Sequence, residues 1–339
     1  MDNIRADRRK KQRWRKRVII LVLILVLLII GFGVYVLVNA LDAASDSYEG
    51  LDREGEKSDL REEAVTIGDD PISILLLGIE DYSSGGEHGR ADTQIVVTLN
   101  PDTKKMTMTS INRDTRVELT KVDQYNGFHK INAAYTYASL TGYGANKLAV
   151  ETVEDLLDIP IDKYLAVNFE SFRDIVNVLG GVTIDVKEGF WEENIYDSNN
   201  RIYFDAGKQK LSGEEALAFV RMRKRAVNNT YPREERQRQF IKASIDQAIS
   251  AGTIFKVGQI SDILGENVET NLKPAEIYAL QRAYSSMDAS TIETIELEGN
   301  PDVIIDGSYY FLPDEDSLQE VSQRLKEELG LLKDPVEIE

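Results

Sequence analysis

The chain has 339 residues and a formal net charge of −18, and it contains no cysteine. The negative charge repels polyanions at long range and so argues against a nucleic-acid partner. The absence of cysteine excludes a disulfide framework and thiol chemistry. The length suffices for one large domain with a full hydrophobic core.

The first 40 residues predict a membrane anchor. Nine basic residues lie between Arg5 and Arg17, and residues 18–38 follow without a charge. A helix over that apolar segment would be about 31 Å long, close to the thickness of the hydrocarbon core. The positive-inside rule keeps residues 1–17 in the cytoplasm, so we expect a single-pass type II membrane protein with an extracellular body. A cleaved signal peptide is the alternative, because "VLVNALDAA" contains a small-x-small sequence.

The rest of the chain predicts one α/β domain on a stalk. Residues 39–69 are polar and charge-rich and are expected to form the stalk, residues 70–333 the domain, and residues 334–339 a C-terminal tail. "ISILLLGI" is typical of a strand buried on both faces, and "TQIVVTLN" and "KMTMTSIN" predict neighbouring strands.

Further along, strands alternate with amphipathic helices such as "FESFRDIVNVLG" and "PREERQRQFIKASIDQAI". "TIETIELEG" and "SYYFLP" are expected to bracket a strand pair before a final helix, "EDSLQEVSQRLKEEL". This alternation predicts an α/β fold with helices on both faces of a mixed central sheet.

Residues 221–240 gather seven basic residues against two acidic ones in this acidic chain. A solvated helix face would explain such a stretch. However, Arg233 falls at the predicted start of a helix, where the helix dipole disfavours a cation and favours a bound anion. Arg233 and Gln237 lie four residues apart on one helix face, so both could reach one phosphate. Arg221 and Arg223 share a face only if their segment is extended, which the sequence leaves open.

Three acids flank a glycine-rich loop between the first two predicted strands: Glu80, Asp81 and Asp92. Carboxylates at strand ends suit Mg²⁺, which prefers one or two of them together with water and phosphate oxygens. They could equally be ordinary loop acids, and Arg90 fits either role. Arg113 follows the third predicted strand, but an Arg–Asp pair at a strand end is a weak signal by itself.

Taken in order, seven segments resemble the LytR–CpsA–Psr family of bacterial cell-envelope proteins. The segments are "LLLGIED", "GRADTQ", "SINRDT", "KINAAYTY", "VNFESFRDIVNVLGGVTIDV", "LSGEEALAFVRMR" and "REERQRQF". The resemblance implies a membrane-anchored phosphotransferase that moves a glycopolymer from a polyisoprenyl pyrophosphate carrier to a C6 hydroxyl of peptidoglycan, forming a phosphodiester. It also implies a three-layer α/β/α sandwich with a hydrophobic pocket for the lipid.

On the matching positions, the resemblance implies roles for individual residues. The residues that would bind the pyrophosphate are five arginines and a glutamine: Arg90, Arg113, Arg221, Arg223, Arg233 and Gln237. Glu80 and Asp92 would hold Mg²⁺ or Mn²⁺, with Asp81 as a possible substitute. Asp92, Arg113 and Arg221 would be catalytic, and Asp92 or Glu80 would accept the proton of the incoming hydroxyl.

The chain departs from the family pattern at two positions. Glu80 stands where the family usually has aspartate, and Thr230 stands where it usually has an acid. Two other functions therefore stay open: a module that binds lipid-linked intermediates without turnover, and a hydrolase that uses water as acceptor. The sequence does not identify the glycopolymer.

Overall fold

The computed structural model describes residues 48–82, 85, 88–197, 199–250, 268–284 and 291–332. The predicted anchor over residues 18–38 and the tail over residues 334–339 lie outside these ranges. Within them, none of the helices combines the length and the apolar character that a bilayer crossing requires.

The described residues form a mixed α/β domain. Its strands are β1 (Ile72–Glu80), β2 (Arg90–Asn100), β3 (Lys105–Ile111), β4 (Arg116–Leu119), β5 (Gly127–Lys130), β6 (Lys163–Asn168), β7 (Val182–Val186), β8 (Phe190–Glu193), β9 (Arg201–Phe204), β10 (Gly207–Leu211), β11 (Val268–Thr270), β12 (Glu293–Thr294), β13 (Gly299–Ile305) and β14 (Ser308–Pro313). Its helices are α1 (Ala133–Thr141), α2 (Ala145–Leu157), α3 (Phe169–Val178), α4 (Gly213–Arg221), α5 (Arg233–Ser250), α6 (Pro274–Tyr284) and α7 (Glu315–Glu328).

The central sheet has the strand order β11-β6-β1-β2-β3-β12. Strands β1, β2 and β3 are antiparallel neighbours, whereas β6 runs parallel to β1 and β12 parallel to β3. Both faces of β1 are buried, as predicted. Leu75 and Leu77 pack on α1, α2 and α7, and Ile72 and Ile74 face the side of α5 and α6. The expected mixed sheet between two helical layers is therefore confirmed.

A second apolar cluster lies beside the sheet. It joins α3, α4 and α5 to two antiparallel strand pairs, β7 with β10 and β8 with β9. The rings of Phe190, Phe204 and Phe219 contact one another at its centre. The cluster holds α4 and α5 together over one face of the sheet, which positions their arginines.

The strand pair near the C-terminus differs from its prediction. Within "TIETIELEG", Glu293–Thr294 is a short strand that joins the central sheet next to β3, and the final residue, Gly299, begins β13. The partner of β14 is β13, most of which follows that segment. Ile292 and Ile295 of this segment are buried against the body, which accounts for its apolar residues without a long strand.

Residues 48–69 were expected to belong to the stalk, but they pack against the domain. Leu51 is only 6% exposed within the main core, and Tyr48 forms a β-bridge with Thr270. Arg53 pairs with Glu154 at 2.5 Å. The prediction was wrong here because the segment is polar in composition, yet its apolar side chains and arginines find buried partners on the body. Residues 39–47 of the stalk lie outside the described residues.

The ion pair between Arg61 and Asp162 yields a stability prediction. Arg61 donates to both Asp162 carboxylate oxygens at 3.0 and 2.8 Å, and both side chains are largely buried. Removing one partner of a buried pair leaves an uncompensated charge, so Arg61→Ala should lower the free energy of unfolding by about 3 kcal/mol. Lys208→Ala removes an exposed cation and is the control. Denaturant unfolding that shows equal stability for the two variants would contradict the assignment.

Candidate functional site

A β-bulge places Asp92 at one end of the sheet. Gly78 pairs with Thr93 and Ile79 with Ala91, so Asp92 is the extra residue on β2. Bulges of this kind redirect a side chain and are common next to active sites. Gly78 is required at this point, because a Cβ atom there would lie 2.9 Å from the Cβ of Thr93.

Asp92 is held as a carboxylate by its neighbours. One oxygen accepts a charged hydrogen bond from Arg113, and the other accepts one from the Asn132 amide at 2.8 Å. Burial raises the pKa of Asp92, but Arg113, Asn132 and the charge of Arg233 together outweigh burial and lower it. Asn132 lies in the segment "KINAAYTY", and nothing in the sequence identified it as the partner of Asp92.

Arg233 is a buried cation at the start of α5. Its side chain is only 8% exposed, and its Nε atom has no hydrogen-bond partner among the described residues. Burial, together with the charges of Arg223 and Arg113, lowers the pKa of Arg233 to about 10, although the attraction of Asp92 opposes this shift. One turn along the helix, Gln237 donates to the Thr93 hydroxyl at 2.9 Å. A buried guanidinium with a free donor is suited to an anionic ligand.

Arg221 and Arg223 lie on either side of the end of α4. Helix α4 ends at Arg221, and Met222 has the extended angles φ −56° and ψ 132°, so the segment leaves the helix there. Arg221 lies 4.8 Å above the Phe169 ring and is half-buried, whereas Arg223 is exposed. Burial lowers the pKa of Arg221, while the charges of Glu192 and Glu80 oppose that shift.

Arg236 fixes this arrangement, although no role for it was predicted from the sequence. It is fully buried and donates to the backbone carbonyls of Phe219, Met222 and Tyr231 and to the Asn228 side chain. It therefore ties α5 to the loop that carries Arg221 and Arg223. Arg233 and Arg238 on the same helix have the same side chain, so the sequence does not distinguish Arg236 from them.

An apolar pocket of about 240 Å³ opens between the sheet and helices α3, α4 and α5. Its walls are mostly aliphatic and aromatic, and they include Leu76, Ile95, Val167, Phe169, Phe172, Ile175, Leu217, Phe240 and Ile241. A smaller polar cavity of about 110 Å³ adjoins it and is lined by Arg113, Asp114, Arg223 and Glu234. Both cavities share Asp92, Thr93, Arg233 and Gln237. A ligand with an apolar chain and an anionic head would fit the pair.

The other predicted residues lie around this centre. Arg90 is exposed opposite Glu80 at the ends of β2 and β1, and it lines neither cavity. Glu80 is half-buried and close enough to influence Arg221. Burial raises the pKa of Asp81, against a hydrogen bond with Asn168. Among the described residues no three acids, histidines or cysteines converge on one point.

Thr230, where the family usually has an acid, contacts an acid from elsewhere. Its hydroxyl donates to the Glu188 carboxylate at 2.7 Å, and the Val227 carbonyl lies 3.2 Å from the same oxygen. Glu188 is exposed in the segment between β7 and β8. The loop before α5 is therefore braced by a carboxylate that lies outside the motif.

Fold and site together define a class of protein, an α/β/α domain with an apolar pocket beside clustered guanidinium groups. The family model of LytR–CpsA–Psr proteins (LytR_cpsA_psr) matches residues 34–327. The chain belongs to this family.

Several known proteins are similar to the chain over most of its length. The polyisoprenyl-teichoic acid–peptidoglycan teichoic acid transferase TagV of Bacillus subtilis (strain 168) is 44% identical over 306 residues, which cover 90% of this chain and 76% of TagV. The crystal structure of B. subtilis TagV matches with a TM-score of 0.66 and 43% identity, covering 78% of this chain and 99% of that one. The family protein YwtF (TagT), solved with bound octaprenyl pyrophosphate lipid, matches with a TM-score of 0.63 and 31% identity, covering 81% and 97%.

Proposed function

We propose that this protein is a membrane-anchored phosphotransferase that moves a glycopolymer from a polyisoprenyl pyrophosphate carrier to a C6 hydroxyl of peptidoglycan. The observation that carries the proposal is the junction of the two cavities, where Asp92 and Arg233 lie between an apolar pocket and a polar one that contains three arginines. Relatives that bear teichoic acid transferase names support the reaction class. The anchor over residues 18–38 would place the site on the outer face of the cell membrane.

The apolar pocket would hold the start of the polyisoprenyl chain, and the guanidinium groups the pyrophosphate. Arg233 donates from inside, and Arg113, Arg221 and Arg223 approach from the rim. Because the protein carries a negative charge overall, only these nearby cations attract the anion, since salt screens charges over roughly 8 Å. Arg90 would reach the pyrophosphate only as an exposed rim residue.

The reaction follows from these positions. The acceptor hydroxyl oxygen attacks the phosphorus that carries the glycan and gives its proton to the Asp92 carboxylate. The bond from that phosphorus to the bridging oxygen breaks, and the bonding electrons leave with polyisoprenyl phosphate. Arg113, Arg221 and Arg233 neutralise charge on the transferring group and on the departing phosphate.

The acids at the predicted metal site could hold a divalent cation. Glu80 and Asp92 are the acids that would hold it, and the lowered pKa of Asp92 keeps that carboxylate ionised, as a ligand must be. Pyrophosphate oxygens and water would supply the remaining ligands of Mg²⁺ or Mn²⁺. When bound, the cation would supply further neutralisation of phosphate charge.

The hydrolase and the non-catalytic binding module differ from the transferase in whether, and under which conditions, polyisoprenyl phosphate is released. A hydrolase would release polyisoprenyl phosphate without an acceptor, and a binding module would release none. The hydrogen-bonded, ionised Asp92 favours an enzyme, because a binding module needs no proton acceptor at the phosphate.

A transfer assay tests the proposal. The full chain in lipid nanodiscs would receive a short polyprenyl-pyrophosphate saccharide and Mg²⁺, with or without peptidoglycan oligomer, and release of polyprenyl phosphate would be followed. We expect acceptor-dependent release that Arg221→Ala abolishes. Equal release without acceptor would establish the hydrolase, and tight binding without release the binding module.

The lowered pKa of Asp92 predicts the acid limb of the pH profile. In the free enzyme Asp92 stays ionised until the pH falls below its ordinary value of about 3.9, so kcat/KM should fall only below that pH. In Arg113→Gln only Asn132 and Arg233 still oppose the effect of burial on the pKa of Asp92. That pKa should therefore rise, and the acid limb should move to higher pH. Arg116→Gln, at an arginine that stacks on Phe128, is the control and should leave the limb in place. An unmoved limb in Arg113→Gln would contradict Asp92 as the titrating base.

A further inference from the structure

Two exposed tyrosines join separate loops beside the site. Tyr82 follows β1, and Tyr196 lies between β8 and β9; their rings meet edge to face with centroids 5.7 Å apart. The Tyr82 hydroxyl donates to the Ile195 carbonyl at 3.0 Å, which fastens the two loops together. Nevertheless Tyr82 is 53% exposed and Tyr196 38% exposed. We call this pair the tyrosine shelf.

The tyrosine shelf adjoins the arginines proposed to bind the pyrophosphate, at Arg221. The Arg173 guanidinium lies 4.0 Å from the Tyr196 ring centroid, and Arg173 is one turn beyond Phe169 on α3. Phe169 is the ring over which Arg221 lies at 4.8 Å. Burial raises the pKa of Tyr196 against the charge of Arg173, and Arg221 is among the further charges that act on it. Tyr196 of the tyrosine shelf therefore lies next to Arg221 of the arginine cluster.

The chemistry of the tyrosine shelf is that of a saccharide site. The face of an aromatic ring is electron-rich, so it attracts the polarised C–H groups on one face of a pyranose. Carboxylates and guanidinium groups beside the ring can bond the sugar hydroxyls, and Glu170 and Glu214 are close enough to act on Tyr196. Arg173 is oriented by its ion pair with Glu214 at 3.1 Å. Rigid tyrosines give such contacts at a low cost in conformational entropy.

We propose that Tyr82 and Tyr196 bind the first sugar of the lipid-linked glycan, a role that rests on the proposed function. That sugar is covalently attached to the phosphate, so it must lie within a few ångströms of the arginines that hold it. In-line displacement places the acceptor oxygen opposite the leaving polyisoprenyl phosphate, on the side of Asp92. The donor sugar must then leave the phosphorus sideways, and the shelf adjoins Arg221 on that route.

Two lipids separate this proposal from the proposed function. One is a short polyprenyl pyrophosphate without sugar, and the other is the same lipid with a disaccharide. Tyr196→Ala and Tyr82→Ala, in the full chain in nanodiscs, should each weaken binding of the saccharide-bearing lipid about tenfold, the effect of losing one aromatic contact. Binding of the sugar-free lipid should not change. Tyr203→Ala removes a tyrosine that is 67% exposed on β9 and should change neither affinity.

Each outcome has a definite meaning. Equal weakening of both lipids would overturn the proposal, because the tyrosines would then only support the arginines. Unchanged affinities would overturn it as well, and so would a rise in the KM for peptidoglycan alone, which would assign the shelf to the acceptor. Failure of the wild-type protein to bind the sugar-free lipid would instead overturn the proposed function.

Discussion

Replacing Arg233 by methionine should strongly weaken pyrophosphate binding without destabilising the protein. Arg233 is 8% exposed, and its Nε lacks a hydrogen-bond partner among the described residues. Truncating a buried charged donor to an anion costs about 2–5 kcal/mol of binding, so affinity for a polyprenyl pyrophosphate should fall at least about 30-fold. Without ligand the same guanidinium is desolvated beside Arg223 and Arg113, which is why its pKa is lowered to about 10. An apolar side chain there should leave the free energy of unfolding unchanged or raise it by about 1 kcal/mol.

Arg238→Met is the matched control for this pair of measurements. It is the same substitution on the same helix, at an arginine that pairs with the exposed Glu296 at 2.8 Å. Binding of the lipid and stability should both stay close to wild type, since surface pairs contribute little. The interpretation of Arg233 is wrong if its variant binds the lipid as tightly as the Arg238 variant, or if it loses several kcal/mol of stability.

The strands and helices that bury a continuous stripe could be predicted from the sequence. "ISILLLGI" is apolar on both faces, and the structure buries both. The helical spacing also held in α5, where Arg233, Gln237, Phe240 and Ile241 line one pocket. Local periodicity is enough for such elements because the neighbouring residues themselves decide which face is buried.

Features that depend on pairing between distant segments could not be predicted in this way. The bulge at Asp92 is a one-residue shift in the pairing of β1 with β2, so its position cannot be predicted from the sequence of either strand alone. Arg233, Arg236 and Arg238 lie within six residues but have different surroundings. Arg233 is buried with a free donor, Arg236 is buried and hydrogen-bonded to backbone carbonyls, and Arg238 forms a surface ion pair. Their positions on the helix set the difference, but the groups they meet come from other parts of the chain.

Replacing Asp92 by asparagine should remove the chemical step and spare binding of the lipid. The amide keeps the shape of the side chain but cannot accept the hydroxyl proton, and loss of a general base lowers turnover about 10²–10⁴-fold. Arg113 keeps Asp114 as a partner at 3.6 Å, so the affinity for polyprenyl pyrophosphate should change less than tenfold. Asp102→Asn makes the same change in the turn after β2, at the opposite end of the strand, and should transfer normally. Single-turnover release of polyprenyl phosphate, measured beside equilibrium lipid binding, separates the two effects. Turnover that survives in Asp92→Asn but is lost in Glu80→Gln would move the role of base to Glu80, the alternative proton acceptor, which lies close enough to act on Arg221.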